Sequence, residues 1–441
     1  MPTTRRHFLQ TSAAVAAAPQ AKVSANDKIR IATIGVGGMG SGDTRYALQL
    51  PGTELVAVAD IYDGRRERAK EVWGKQLFTT RDYREILARK DIDAVIVATP
   101  DHWHSRITIE ALNSGKDVYC EKPMVHDVSE GPAVIEAMQK SGRILQIGSQ
   151  YVSSMIFAKA GEVLRSGAIG ELNLVEAWLD RNTAVGAWQY SIPPDASEAS
   201  IDWDRFLGNA PKRAFEPKRM FRWRNYSDYG TGVAGDLYVH LLSGLHFATN
   251  SLGPTRIYSS GGVRYWKDGR DAADVVLSVF EYPKTAQHPG FTLALRVNLA
   301  SGGVTESFGY RFVGSEGTMN VGMSSMTIAR KPREEAPGYT IDTFPKAVQD
   351  KFLAKYRADY PRKAASIAGM QPETTEVFNT PAGYSMHLEH HRNFQNAVRT
   401  RKPFIEDGVF GYRAAGPALL SNVSMAEERA CKWDPAAMKR V

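Results

Sequence analysis

Ile29-Arg30-Ile31-Ala32-Thr33-Ile34-Gly35-Val36-Gly37-Gly38-Met39-Gly40 is a short apolar, β-branched run that breaks into glycines. It matches G-x-G-x-x-G placed after a strand and before a helix. The first glycine of such a motif allows the tight turn. The second lets backbone approach a pyrophosphate. The third lets helix and strand pack closely, with the helix N-terminus facing phosphate. Gly35, Gly37, Gly38, Met39 and Gly40 are therefore candidate cofactor contacts. Asp60 ends the next apolar run, Glu54 to Ala59, where a carboxylate can accept hydrogen bonds from ribose hydroxyls. It favours NAD by repelling a 2′-phosphate. Arg65 and Arg66 beside it leave NADP open.

Downstream, short apolar runs alternate with helical stretches. Asp93 to Ala98, Asp117 to Cys120 and Ile144 to Ile147 read as strands; Arg65 to Val72, Tyr83 to Leu87, Arg106 to Leu112 and Val128 to Gln139 read as helical. This is the pattern of βαβ units on a parallel sheet. After Gln150 the runs lengthen and alternate, as in Leu172 to Asp180, Thr255 to Arg264, Val275 to Tyr282, Phe291 to Leu299 and Phe308 to Val313. That suits a larger, mostly antiparallel sheet. Gly235 to Asn250 reads as a helix within it. Residues 333–385, rich in Pro and charge, read as excursions, and Met386 to Arg399 and Gly411 to Glu428 as closing helices. The expected fold class is α/β, a Rossmann domain followed by an α/β domain with a large open sheet. The boundaries are 1–27 for a leader, 28–150 for the doubly wound domain and 151–441 for the substrate and oligomerisation domain.

Composition excludes other classes. The 441 residues are 43% hydrophobic and 23% charged, the balance of a globular chain. The formal charge of +7 is spread along helices and loops without a stripe, so no nucleic-acid partner is expected. Two distant cysteines, Cys120 and Cys431, build neither a disulfide scaffold nor a zinc site. Thr4-Arg5-Arg6-His7-Phe8-Leu9, followed by an alanine-rich stretch to Ala18, resembles a twin-arginine export signal. Export through that machinery to the periplasm is the expectation. No run reaches eighteen apolar residues, so stable membrane insertion is not expected.

Oxidising a carbinol requires a base for the hydroxyl proton and a donor for charge developing on oxygen. The third strand ends in Thr99-Pro100-Asp101-His102-Trp103-His104 and the fourth in Glu121-Lys122-Pro123. Lys122 can supply an ammonium donor at the carboxyl edge of the sheet, where open α/β sheets bind ligands. Asp236 and His240 are four apart, on one face of a helix, so the carboxylate can orient the imidazole. His246 falls off that face, and no metal site is expected. Trp178, Trp188, Tyr190, Trp203, Trp223, Tyr226 and Tyr229 offer flat faces for a sugar ring. Arg219, Arg222 and Arg224 can hold an acidic substrate, with a solvated basic loop as the simpler reading.

Taken together, the glycine motif, Asp60, Thr99-Pro100-x-x-x-His104, Glu121-Lys122-Pro123, Asp236-x-x-x-His240 and the terminal Glu406-Asp407-Gly408 through Trp433-Asp434-Pro435 resemble the Gfo/Idh/MocA oxidoreductase family. Where that family commonly has Asn, this chain has Asp101. The resemblance implies an NAD(P)-dependent enzyme acting on a sugar, sugar derivative or cyclitol, and a homo-oligomer. It also implies that Lys122 contacts nicotinamide and the reacting hydroxyl, with Thr99, Pro100, His104, Glu121 and Gln150 on the cofactor. His240 is then the acid/base and Asp236 a substrate or base-orienting residue. Some relatives are redox-assisted glycosidases, in which tightly held NAD oxidises C3 transiently with no net oxidation. A non-catalytic sugar sensor is the remaining alternative, and it needs neither Lys122 nor His240.

Overall fold

The computed structural model describes residues 28–303, 305–330, 339–359, 375–402 and 404–441. The expected export signal lies outside the described residues, as does much of the excursion expected at 333–385.

The first domain alternates β1 (Ile29–Ile34), α1 (Gly38–Leu48), β2 (Thr53–Ala59), α2 (Asp63–Trp73), β3 (Phe78–Thr80), α3 (Tyr83–Ala88), β4 (Ala94–Val97), α4 (His104–Asn113), β5 (Asp117–Cys120), α5 (Gly131–Ser141) and β6 (Leu145–Ile147). The strands form one parallel sheet in the order β3-β2-β1-β4-β5-β6. Order reverses between β1 and β4, and the carboxyl ends there open a crevice. The strands are buried on both faces, which explains their unbroken apolar runs.

The second domain holds α6 (Met155–Arg165), β7 (Leu172–Arg181), α7 (Trp203–Leu207), α8 (Pro217–Phe221), α9 (Val239–Thr249), β8 (Arg256–Gly262), β9 (Val275–Tyr282), β10 (Phe291–Asn298), β11 (Glu306–Gly314), β12 (Gly317–Val321), β13 (Ser325–Arg330), α10 (Lys346–Asp359), β14 (Thr375–Asn379), α11 (Met386–Thr400), α12 (Gly408–Glu427), β15 (Cys431–Asp434) and β16 (Lys439–Arg440). Ten strands make the second sheet, in the order β14-β13-β12-β11-β7-β10-β9-β8-β15-β16. Among the described residues only β7 and β10 of this sheet pair in parallel. Alternation along β8, β9 and β10 buries one face under α9 and α12 and exposes the other.

Two features depart from the sequence expectations. The chain does not stay in the second domain after residue 151. Phe394 and Val398 of α11 pack with Ile29, Ile31, Ala94, Ile96 and Tyr119 of the first sheet. Arg401 pairs with Asp117 at 2.6 Å, and Ile147 N–H donates to Glu406 O at 3.1 Å. A parallel sheet needs cover on both faces, and α11 completes the cover that α1 begins.

The other departure is the path between β7 and α9. Residues 182–234 form a strap that crosses to the first domain. Its core of Ile201, Phe206, Leu207, Met220, Phe221, Tyr226 and Tyr229 closes around Tyr62, just past β2. Asp63 N–H donates to Ser200 O at 2.9 Å, and Asp202 N–H to Ile61 O at 3.0 Å. Tyr62 Oη donates to Asp195 at 2.6 Å, and Trp103 Nε1 to Phe206 O at 3.0 Å.

Candidate active site

The crevice and the strap enclose a cavity of about 960 Å³. Gly35, Asp60, Thr99 and Lys122 line it from the sheet edge, and Tyr190 and Arg224 from the strap. A nicotinamide dinucleotide fits the residues present. Gly35 has φ +88°, and a Cβ there would stand 2.6 Å from Ala98 O. A Cβ on Gly40 would stand 1.9 Å from Gly35 O, so α1 seats on the turn only without a side chain. Gly38 faces open space at the head of α1, where pyrophosphate oxygens are favoured. Gly37 and Met39 also line the cavity, whereas Gly40 packs behind it.

Asp60 is buried and accepts from Val36 N–H and Tyr62 N–H, both at 3.0 Å. It fixes the glycine turn and still borders the cavity, with lone pairs left for a ribose hydroxyl. Arg65 stands 3.7 Å from it and packs over Phe221 of the strap. Arg66 is drawn away by Asp63.

At the end of β5, Lys122 Nζ donates to Asp236 Oδ1 and to Asp236 O, both at 2.8 Å. The same Oδ1 accepts from Arg224 Nε at 2.9 Å, and Oδ2 from Trp188 Nε1 at 3.2 Å. Burial by itself would raise the Asp236 carboxyl, but Lys122 and Arg224 hold it well below the usual carboxylate range. The predicted pairing of Asp236 with His240 is not formed. Asp236 lies in a π-helical turn, Ala234–Tyr238, which alters the spacing a regular helix would give, and two cations outcompete the imidazole. His240 instead lies against Tyr151, ring centroids 5.0 Å apart, and its Nδ1 is buried without a partner. Burial, then the Lys122 charge, pushes its imidazole well below the ordinary value, so it is neutral at pH 7. His246 bonds Tyr282 Oη at 2.9 Å inside the second domain, far from any ligand role.

Glu121 is buried beside Lys122 with Oε1 unpartnered. Burial and then Asp43 raise its carboxyl well above the usual range, against the lowering pull of Lys122 and Arg224. His104 staples two motif loops: Nδ1 lies 2.6 Å from Pro123 O and Nε2 2.8 Å from Thr99 O. Thr99, Pro100 and His104 line the cavity. Asp101 is a domain tie, accepting from Thr231 N–H at 2.9 Å and Thr231 Oγ1 at 2.6 Å. Gln150 begins a 3-10 turn and is buried; like Asp236 and His240, it is not among the residues that line the cavity.

The three strap arginines part company. Arg219 pairs with Glu216 and Asp228, and Arg222 bonds Tyr190 O at 2.9 Å. Arg224 enters the site, where sequence pointed to a solvated loop. Of the seven aromatic candidates, Tyr190 and Trp223 line the cavity, and Trp188 holds Asp236. Trp203, Tyr226 and Tyr229 pack in the strap core, and Trp178 bonds Ser307 on the second sheet.

Residues 29–149 match the Gfo/Idh/MocA family, described as an oxidoreductase family with an NAD-binding Rossmann fold. The chain is 32% identical to the inositol 2-dehydrogenase of Salmonella typhimurium (strain LT2) over 145 residues, covering 32% of this chain and 43% of that one. It is 31% identical to a glycosyl hydrolase family 109 protein of Shewanella baltica (strain OS155), covering 33% of this chain and 34% of that one. The match thus spans less than half the length of these relatives. A levoglucosan dehydrogenase structure, in complex with NADH and L-sorbose, superposes with a TM-score of 0.67 at 16% identity, covering 92% of this chain and 98% of that one. Residues 29–149 thus match the NAD-binding Rossmann fold of the Gfo/Idh/MocA oxidoreductases, and the chain as a whole carries the two-domain fold seen in that dehydrogenase structure.

Proposed function

We propose that the protein is an NAD(P)-dependent oxidoreductase acting on a hydroxyl-bearing carbon of a sugar, sugar derivative or cyclitol. The observation that carries this reading is Lys122, an ammonium fixed by Asp236 at the cavity wall between the two domains. When bound, the nicotinamide supplies the hydride acceptor. Lys122 donates to the reacting oxygen and stabilises its developing charge. Asp236 holds Lys122 in place, and neutral His240 takes the hydroxyl proton. Gly35, Gly37, Gly38 and Asp60 hold the cofactor, with NAD favoured because Asp60 borders the ribose end and Arg66 is engaged elsewhere. The test is reduction of added NAD or NADP, followed at 340 nm, across free sugars and cyclitols. No reduction by any of them removes this reading.

A redox-neutral glycosidase is the second reading. The strap roofing the cavity and the similarity to a glycosyl hydrolase family 109 protein support it. Aryl-glycoside cleavage with bound cofactor released only on denaturation, and no net NAD reduction, selects it over the first. We also propose twin-arginine export to the periplasm, supported by Arg5-Arg6 and the alanine-rich stretch, and tested by cell fractionation. Homo-oligomerisation is supported by exposed Tyr258, Leu277 and Val279 on the open sheet face, and tested by light scattering. Among the described residues no helix is long and apolar enough to cross a membrane.

A further inference from the structure

Arg224 has more donors than the chain satisfies. Its Nε is committed to Asp236 at 2.9 Å. Its two terminal nitrogens have no hydrogen-bond partner among the described residues, yet neither is an enclosed orphan, because the side chain lines the cavity. The guanidinium is held in place from three sides. Trp223 stacks on it, 4.2 Å from ring centroid to Cζ; Tyr190 stands 5.9 Å away; and Asp236 fixes Nε. Asp101 is the other nearby carboxylate, but its Oδ2 is occupied by Thr231. A fixed, always charged fork with free N–H donors matches the planar, bidentate geometry of a carboxylate.

Its position tells which ligand it faces. Arg224 and Lys122 hold the same oxygen of Asp236, so one ring-sized molecule can touch both. Tyr190 and Trp223 supply flat walls for that ring. Resting on the proposed polyol chemistry, we infer that the preferred substrate is a polyhydroxylated acid of the hexuronate class, whose carboxylate is bound by Arg224 while Lys122 addresses the hydroxyl to be oxidised. Trp223 orients the guanidinium as a positioning residue.

The test compares a hexuronate with its neutral parent hexose on the wild-type protein, following NAD reduction. Aryl hexuronides and aryl hexosides are run in parallel for cleavage. Loss of one charge-assisted bidentate pair is worth about 10- to 100-fold. The acid is expected to have the higher kcat/KM by about that factor, carried mainly in KM. Arg224→Gln is expected to collapse the acid-to-neutral ratio towards one, and Arg224→Lys to restore part of it. Equal or better use of the neutral hexose by the wild type overturns this inference and leaves the oxidoreductase reading standing. Failure of every polyol and glycoside overturns both. The wild-type comparison decides the matter even if the Arg224 variants do not fold.

Discussion

Lys122, Asp236, Arg224 and His240 are an instance of charge placement deciding chemistry. Two cations share one carboxylate oxygen, which holds the Asp236 carboxyl well below the usual carboxylate range and holds Lys122 in place. Lys122→Ala is expected to lower turnover by at least about a hundredfold, the scale of losing one charge-stabilising donor, while cofactor binding measured by fluorescence titration persists. Turnover near wild type would remove Lys122 from the reaction. His240 gives a second residue-scale prediction. Its imidazole is pushed well below 6.5, so the proton-accepting form is present at neutral pH and is lost only as pH falls through the depressed value. The acid limb of kcat/KM for oxidation should therefore lie well below pH 6.5. A limb at or above 6.5 excludes His240 as the base. Sequence marked Lys122, Asp236 and His240 but paired Asp236 with His240, and it favoured a solvated loop for Arg224. Spacing four apart speaks for a regular helix, and the π-turn at Ala234–Tyr238 has no spacing signature.

The element that most shapes the site is the strap, residues 182–234. It contains only short helices, so its stability comes from burying Ile201, Phe206 and Phe221 against Tyr62 rather than from its own hydrogen bonds. Opening it would uncover the cofactor cavity. Ile201→Ala leaves a void at the centre of that contact and is expected to cost about 2–4 kcal/mol locally. Cofactor dissociation should then accelerate by at least about tenfold, checked by retention through gel filtration or by dilution chase. Unchanged retention would show that the strap does not gate release. The strands of the first sheet were legible because parallel strands buried on both faces read as continuous apolar runs. The strap was not, since its aromatic residues have no period and their partner, Tyr62, lies more than a hundred residues away.

Across the whole molecule, burial of ionisable groups sets the pH dependence of stability. His102 is pushed down to about 4, and His246, His390 and His391 to about 3, all chiefly by burial; His240 moves the same way. Below pH 6.5 the unfolded chain takes up protons that the folded chain refuses, so these groups destabilise as pH falls. Asp43, Glu121 and Glu406 are raised by burial and act oppositely. Above the ordinary carboxylate range the unfolded chain releases protons that the folded chain keeps, so stability falls as pH rises. His387 moves with the other imidazoles and Asp407 with the other carboxyls, so among the described residues six imidazoles against four carboxyls give a maximum on the acid side of neutrality, with a slope of about 1.4 kcal/mol per pH unit for each net proton. Thermal midpoints at pH 5, 6 and 8 should peak at 6; a steady rise to pH 8 would show that the carboxyls are ionised in the folded state.

By itself the sequence determined the cofactor half of this protein. Gly35 to Gly40, Asp60 and the strand-end motifs act through local backbone geometry, and local geometry is written in local order. It also marked Lys122 as a candidate, because that lysine leaves an apolar strand at the carboxyl edge of the sheet, beside the glycine turn. Only the tertiary structure decided that α11 belongs to the first sheet, that Asp236 serves Lys122 and not His240, and that Arg224 enters the cavity while Arg219 and Arg222 do not. Those outcomes depend on which charges meet across distant segments and on how much water is excluded around them. Both are properties of the packed molecule, and no spacing along the chain records them.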